Sequence, residues 1–194
     1  HPDIYFFWGK NQKKRYYFKR NLKKVLGSPR MDFFHKKFEK LNLKKNIKKQ
    51  LGINLNSKVI TFMTRTQEAH KKLETIKKVN SRRKKMYIEP KNLFIDYFRD
   101  TKKILSINVK LIEKISRNFK DFKIIIKPHP NENIIFWEKK FSKNKNISVE
   151  KDMYSHDLLK ISNFNITNNL CNTTLESQIL GVPCLEIQKK FSRK

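Results

Sequence analysis

The sequence is poor in the residues that build special chain geometry. Four Gly and six Pro in 194 residues exclude collagen-like and Pro/Gly-rich chains. Two cysteines, Cys171 and Cys184, are too few for a disulfide framework and point to a reduced, cytosolic protein. Neither has a histidine nearby at zinc-ligand spacing, and no D-x-D motif occurs, so no metal is expected. No apolar run approaches the roughly 18 residues of a membrane-spanning helix. A phosphate-binding P-loop, a Gly-rich dinucleotide fingerprint and a nucleophile elbow are all missing. Acids are scarce as well: 17 Asp and Glu stand against 46 Lys and Arg, a formal charge of +29.

What is present is enough for a core. Hydrophobic residues make up 38% and aromatics 12%, which excludes a disordered tail despite 32% charge. The length suits one domain of about 100–200 residues, or one plus part of another. A basic excess of this size draws nucleic acid or an anionic membrane surface. Only 9 of the 46 cations are Arg, the residue whose planar fork recognises phosphates and bases. The Lys comes with abundant Asn and Ile, the set that AT-rich codons specify, so composition is the main source of the charge. Its field still attracts any polyanion without specificity.

The chain opens on His1-Pro2-Asp3 and the apolar run Ile4 to Trp8, with neither the charged region nor the cleavage site of a signal peptide. It reads as entered partway through a strand, a fragment of a longer protein. Strands are expected at 4–8, 58–63, 122–126, 146–149, 164–167 and 184–187. Helices are expected at 11–20, 32–50, 67–79, 101–119, 132–141, 155–161 with Ser155 as cap, and 173–180. The stripe Ile104, Ile107, Leu111, Ile115 and Phe119 sets the fourth of these. Residues 80–100 resist a reading. From residue 58 onward strand and helix alternate, and Phe122 to Ile126 is an unalternating apolar run, as in strands buried on both faces. The fold class is therefore α/β, a Rossmann-like parallel sheet with flanking helices. Two regions follow: 1–56, the tail of a preceding domain with a linker, and 57–194, the sheet domain.

Ligands of open parallel sheets bind at the carboxyl ends of the strands. Three polar clusters fall at such ends. In Lys127-Pro128-His129-Pro130 two prolines hold the chain extended and present His129 rigidly, as a hydrogen-bond donor to a phosphate oxygen or as a catalytic acid, with Lys127 adding charge. Thr173 and Glu176 have capping-box spacing, so a helix is expected to open at Thr173, with its amides and the Thr173 and Thr174 hydroxyls facing an anion. Glu176 either binds back to the cap or accepts from ribose hydroxyls. Thr64-Arg65-Thr66 supplies an Arg that can clamp a diphosphate. The turn Gly27-Ser28-Pro29-Arg30 is comparable. His35, His70 and His156 lack any such framing and read as surface or packing residues.

Three segments, in order, resemble the C-terminal half of GT-B-type transferases of surface-polysaccharide biosynthesis. The relatives are capsule and Kdo/sialic-acid-type transferases and the CDP-glycerol glycerophosphotransferases. The segments are Gly27-Ser28-Pro29-Arg30-Met31-Asp32, Lys127-Pro128-His129-Pro130, and Thr173 to Gln178 followed by Leu180-Gly181-Val182-Pro183-Cys184. Ser177 stands where Ala is usual. The resemblance implies a two-domain enzyme of which this chain holds the donor half. His129 would contact the donor phosphate, with Arg65, Thr66, Lys127, Pro130, Thr173 and Thr174 around it. Glu176 would fall at the ribose, and Arg30 at the interdomain turn. The donor would be CMP-, CDP- or UDP-linked, with no separate cofactor. The acceptor would be a glycan or a lipid-linked chain, and the location the cytoplasmic face of the inner membrane. The catalytic base would lie in the preceding domain, so this chain alone need not catalyse. Two other readings stand beside it: a sugar-nucleotide epimerase of the same fold, and a basic nucleic-acid-binding module.

Overall fold

The computed structural model describes residues 4–15, 22–35, 37–38, 43–86, 93–168 and 171–187. The chain divides into two compact units, His1–Leu43 and Lys44–Lys194.

In the first unit β1 (Ile4–Phe7) and β2 (Leu22–Val25) pair in parallel, Ile4 opposite Leu22 and Phe7 opposite Val25. Between them lies α1 (Lys10–Arg15), the described part of the expected helix 11–20. The turn at Gly27, with φ at +85°, leads into α2 (Pro29–Asp32). Proline suits the first turn of a helix, where its missing N–H is not needed. The helix expected over 32–50 is not continuous: the chain turns at Phe33 and Phe34, residues 37–38 are 3-10, and α3 begins at Lys44, while residues 36 and 39–42 lie outside the described residues.

The second unit is a five-stranded sheet with helices on both faces. In chain order it contains α3 (Lys44–Gln50), β3 (Lys58–Met63), a 3-10 turn (Gln67–His70), α4 (Leu73–Met86), α5 (Leu93–Asn118), β4 (Phe122–Lys127), α6 (Ile134–Phe141), β5 (Ile147–Val149), α7 (Ser155–Ile161), β6 (Phe164–Asn168), α8 (Asn172–Ile179) and β7 (Cys184–Ile187). The strand order is β5-β4-β3-β6-β7 and every pairing in it is parallel. Counted along this unit, that is the order 3-2-1-4-5 of the Rossmann-like doubly wound sheet. Among the described residues, no helix is long and apolar enough to cross a membrane.

Alternate residues of each strand enter opposite layers. Ile60, Phe62, Ile124, Ile126 and Ile166 pack against Ile112 and Ile115 of α5 and Trp137 and Phe141 of α6. Val59, Met63 and Ile125 pack on the other face against Leu158, Leu159 and Ile161 of α7 and Ile47 of α3. Residues 44–56 thus belong to the sheet unit, because Ile47 and Ile53 are buried in its lower layer. Each such side chain contributes about 1.5–3 kcal/mol by leaving water. Ile124 to Ile126 form an unbroken apolar run because both faces of β4 are covered.

The stripe on α5 is rotated from the expected one. Ile107 and Phe119 are exposed, while Thr101, Ile104, Asn108, Ile112, Ile115 and Ser116 are buried. Three of these are polar and each is hydrogen-bonded. Thr101 donates to Tyr97 O, Ser116 to Asn146 Oδ1, and Asn108 exchanges two amide bonds with Asn168 of β6. Hydropathy periodicity does not register a buried polar residue that has found its partner. Helices α3 and α8 end alike. Gly52 (φ +63°) and Gly181 (φ +67°) take the left-handed position, with Ile53 N–H returning to Lys48 O and Val182 N–H to Ser177 O.

Candidate functional site

The carboxyl ends of β3, β4 and β6 lie side by side at one edge of the sheet. The order of connections reverses between β3 and β6, so the crevice where a ligand binds such a sheet opens there. β3 leaves into Thr64-Arg65-Thr66 and β4 into Pro128-His129-Pro130.

The two loops are tied by Glu132. This buried carboxylate accepts four hydrogen bonds: from Thr64 Oγ1 (2.8 Å), Thr66 Oγ1 (3.0 Å) and Trp137 Nε1 (3.0 Å) on Oε2, and from Thr66 N–H (2.5 Å) on Oε1. Its own N–H donates to His129 O at 2.7 Å, and Thr64 N–H donates to Lys127 O at 3.0 Å. Arg65 and His129 are thereby carried on one frame. Sequence reading missed Glu132. Its signal was an acid beside a proline-rich loop and just ahead of the apolar run Ile134 to Trp137, which looks like any loop acid until the fold brings Thr64 and Thr66 to it.

His129 Nδ1 accepts from Asn131 N–H at 3.2 Å. A neutral ring so held carries its proton on Nε2, which is then a donor. Burial lowers the His129 pKa from the ordinary value; Glu132 opposes the shift and the Arg65 charge adds to it. Burial likewise lowers His70, against the opposing charge of Glu132, and its ring packs on Phe136 with centroids 5.1 Å apart.

Several expected ligands are committed elsewhere. Both donors of Thr66 go to Glu132. Lys127 sends its ammonium to the Lys151 carbonyl, and burial lowers its pKa against the raising charges of Glu150 and Asp152. Pro128 is buried and Pro130 exposed. Helix α8 opens at Asn172 with Cys171 as N-cap, so Thr173 is inside the helix and the expected capping box does not form. The Thr173 hydroxyl instead meets that of Thr167 at 3.1 Å. Thr174 Oγ1 donates to Glu186 Oε2 at 3.4 Å. Glu176 is 1% exposed and accepts from Ser155 Oγ at 3.0 Å, linking α8 to the start of α7. Ser155 does not cap α7; that position is Tyr154. Arg30 lies on α2 in the first unit.

No group of three His, Cys, Asp or Glu side chains able to hold a metal occurs among the described residues. A cavity of about 450 Å³ opens at the opposite, amino edge of the sheet, lined by Lys44, Lys45, Lys48 and Asn163 among others. Lys48 is held there by the Leu55 and Ser57 carbonyls, at 2.7 and 2.8 Å. That cavity stands away from the crevice. No family model matches the chain, and no curated protein matches it.

Proposed function

We propose that the second unit is the donor-binding half of a nucleotide-dependent transferase of surface-polysaccharide biosynthesis. It is GT-B-like, with a glycan or lipid-linked acceptor, and works at the cytoplasmic face of the membrane. The observation that carries the reading is that Glu132 ties the loops of Arg65 and His129 together, beside the crevice of a 3-2-1-4-5 parallel sheet.

The chemistry follows from those two groups. A nucleotide-activated donor is broken at the bond to its terminal phosphate oxygen, and negative charge grows on that oxygen as the acceptor attacks the activated carbon or phosphorus. A guanidinium and an Nε2–H carried on tied loops stabilise that charge with little reorganisation when the reaction occurs. Glu132 is the positioning residue, and the amino end of α8 opens on the same edge. The ordered trio of motifs supports the same assignment.

Calorimetric titration of CMP, CDP and UDP at high salt tests it, with His129→Ala beside the unaltered chain and single-stranded RNA as control. The expected result is saturable binding of one nucleotide, weakened in the variant by about 1.5–3 kcal/mol, as for a hydrogen bond to a charged group. Binding of RNA alone, lost as salt rises, overturns the reading and makes the +29 charge the functional feature.

A further inference from the structure

Tyr154 is an exposed aromatic residue. It is the N-cap residue of α7 but makes no side-chain capping bond. Caps favour Ser, Thr, Asp and Asn. It is not core either, being 73% exposed. Yet the ring is held. It stacks on His156, with centroids 5.6 Å apart and planes 22° from parallel, and His156 Nε2 lies 3.2 Å from the buried Asp157 carboxylate. One face of the tyrosine is thus backed by the His156 imidazole.

Its loop is fastened on both sides of the crevice. Lys127, at the end of β4, holds the Lys151 carbonyl, and Glu150 N–H donates to Ile126 O. Glu150 Oε1 accepts from the N–H groups of Asp152 and Met153. On the other side Ser155 is hydrogen-bonded to Glu176 in α8. Helix α7 packs against both β3 and α8, so its first residues stand at the carboxyl edge where β3 and β6 part. Lys127 and Glu176, two residues the sequence nominates as ligands, are the struts of this loop.

We infer that Tyr154, backed by His156, is the stacking platform for the base of the bound nucleotide. An exposed aromatic face at the edge of the sheet where nucleotides bind is an arrangement that can hold a nucleobase, whose flat surface stacks whatever its edge pattern. This rests on the donor-nucleotide reading above.

Calorimetry at high salt separates the two. The probes are CMP, UMP and inorganic pyrophosphate, and the chains are the unaltered protein, Tyr154→Ala and Tyr154→Phe. Tyr154→Ala is expected to weaken both nucleotides by between about 5-fold and 150-fold, the range that truncating a stacked aromatic produces. It should leave pyrophosphate within about twofold, and Tyr154→Phe should keep the nucleotide affinity, since the ring and not the hydroxyl carries the stack. Equal nucleotide binding by Tyr154→Ala and the unaltered chain overturns the platform and leaves the donor reading standing. An equal loss of pyrophosphate overturns it too, since Tyr154 would then act on the frame and not on a base. Failure of the unaltered chain to bind any nucleotide overturns both.

Discussion

Glu132→Gln is the sharpest test of the frame that carries Arg65 and His129. The carboxylate takes three donors on Oε2 and one on Oε1. Glutamine offers one carbonyl oxygen and an NH2. With the carbonyl on the Oε2 side, the NH2 meets Thr66 N–H, a second donor, and one of the other three donors is crowded out. At least two charge-assisted bonds are lost, at about 1.5–3 kcal/mol each, or roughly 3–6 kcal/mol in all. The threonine hydroxyls can turn to accept from the new amide, which places the expected loss at the lower end, about 3 kcal/mol. That is a large share of the roughly 5–15 kcal/mol that keeps a domain folded. Urea unfolding followed by tryptophan emission measures it. Trp137 is fully buried and bonded to Glu132, while Trp8 is 53% exposed in the other unit. A Trp8→Phe background makes the signal report the sheet unit alone. Thr64→Val in the same background closes a double-mutant cycle, where the coupling with Glu132→Gln should reach about 1 kcal/mol or more. A loss below about 1 kcal/mol with no coupling would refute the clamp.

Four further outcomes are expected. Neutral His129 should carry its proton on Nε2, visible as the tautomer in long-range proton–nitrogen NMR spectra; an Nδ1-protonated ring would contradict the bond from Asn131. Because burial lowers both His70 and His129 from 6.5, the unfolded chain takes up protons first on acidification. Stability should therefore fall as pH drops from about 6.5 toward the folded values, and replacing both with Gln should flatten that slope in urea midpoints read across pH. Asn108→Leu should cost about 1–3 kcal/mol by leaving Asn168 unpaired, and Asn108→Leu with Asn168→Leu should cost less than the sum of the two single changes in denaturant unfolding. Glu176→Ala should lower stability by removing the acceptor of the Ser155 hydroxyl while leaving the ratio of CMP to dCMP affinity unchanged; a changed ratio would place Glu176 at the ribose.

The sequence by itself determined the strands and the edge. β3, β4, β6 and β7 were legible because apolar runs rich in Ile, Val, Thr and Phe between polar turns leave few alternatives to a buried strand. Helix α7 matched its expected span of 155–161, and the Arg65 and His129 loops were legible as strand ends. These are local properties, set by backbone preference and by side-chain period. Strand order is not local, so the crevice between β3 and β6 waited on the fold. The same holds for every polar side chain whose role depends on a distant partner. Thr64 finds Glu132 across 68 residues, Asn108 finds Asn168 across 60, and Thr61 finds Asn165 across 104. Capping-box spacing is equally local, but in the fold α8 starts at Asn172 and Glu176 accepts from Ser155 of α7. A lysine, a glutamate and a tyrosine look alike as candidate ligands along a chain. Tertiary packing alone decides which is a strut and which faces the crevice, because a buried polar group must be satisfied by whatever the fold brings within reach.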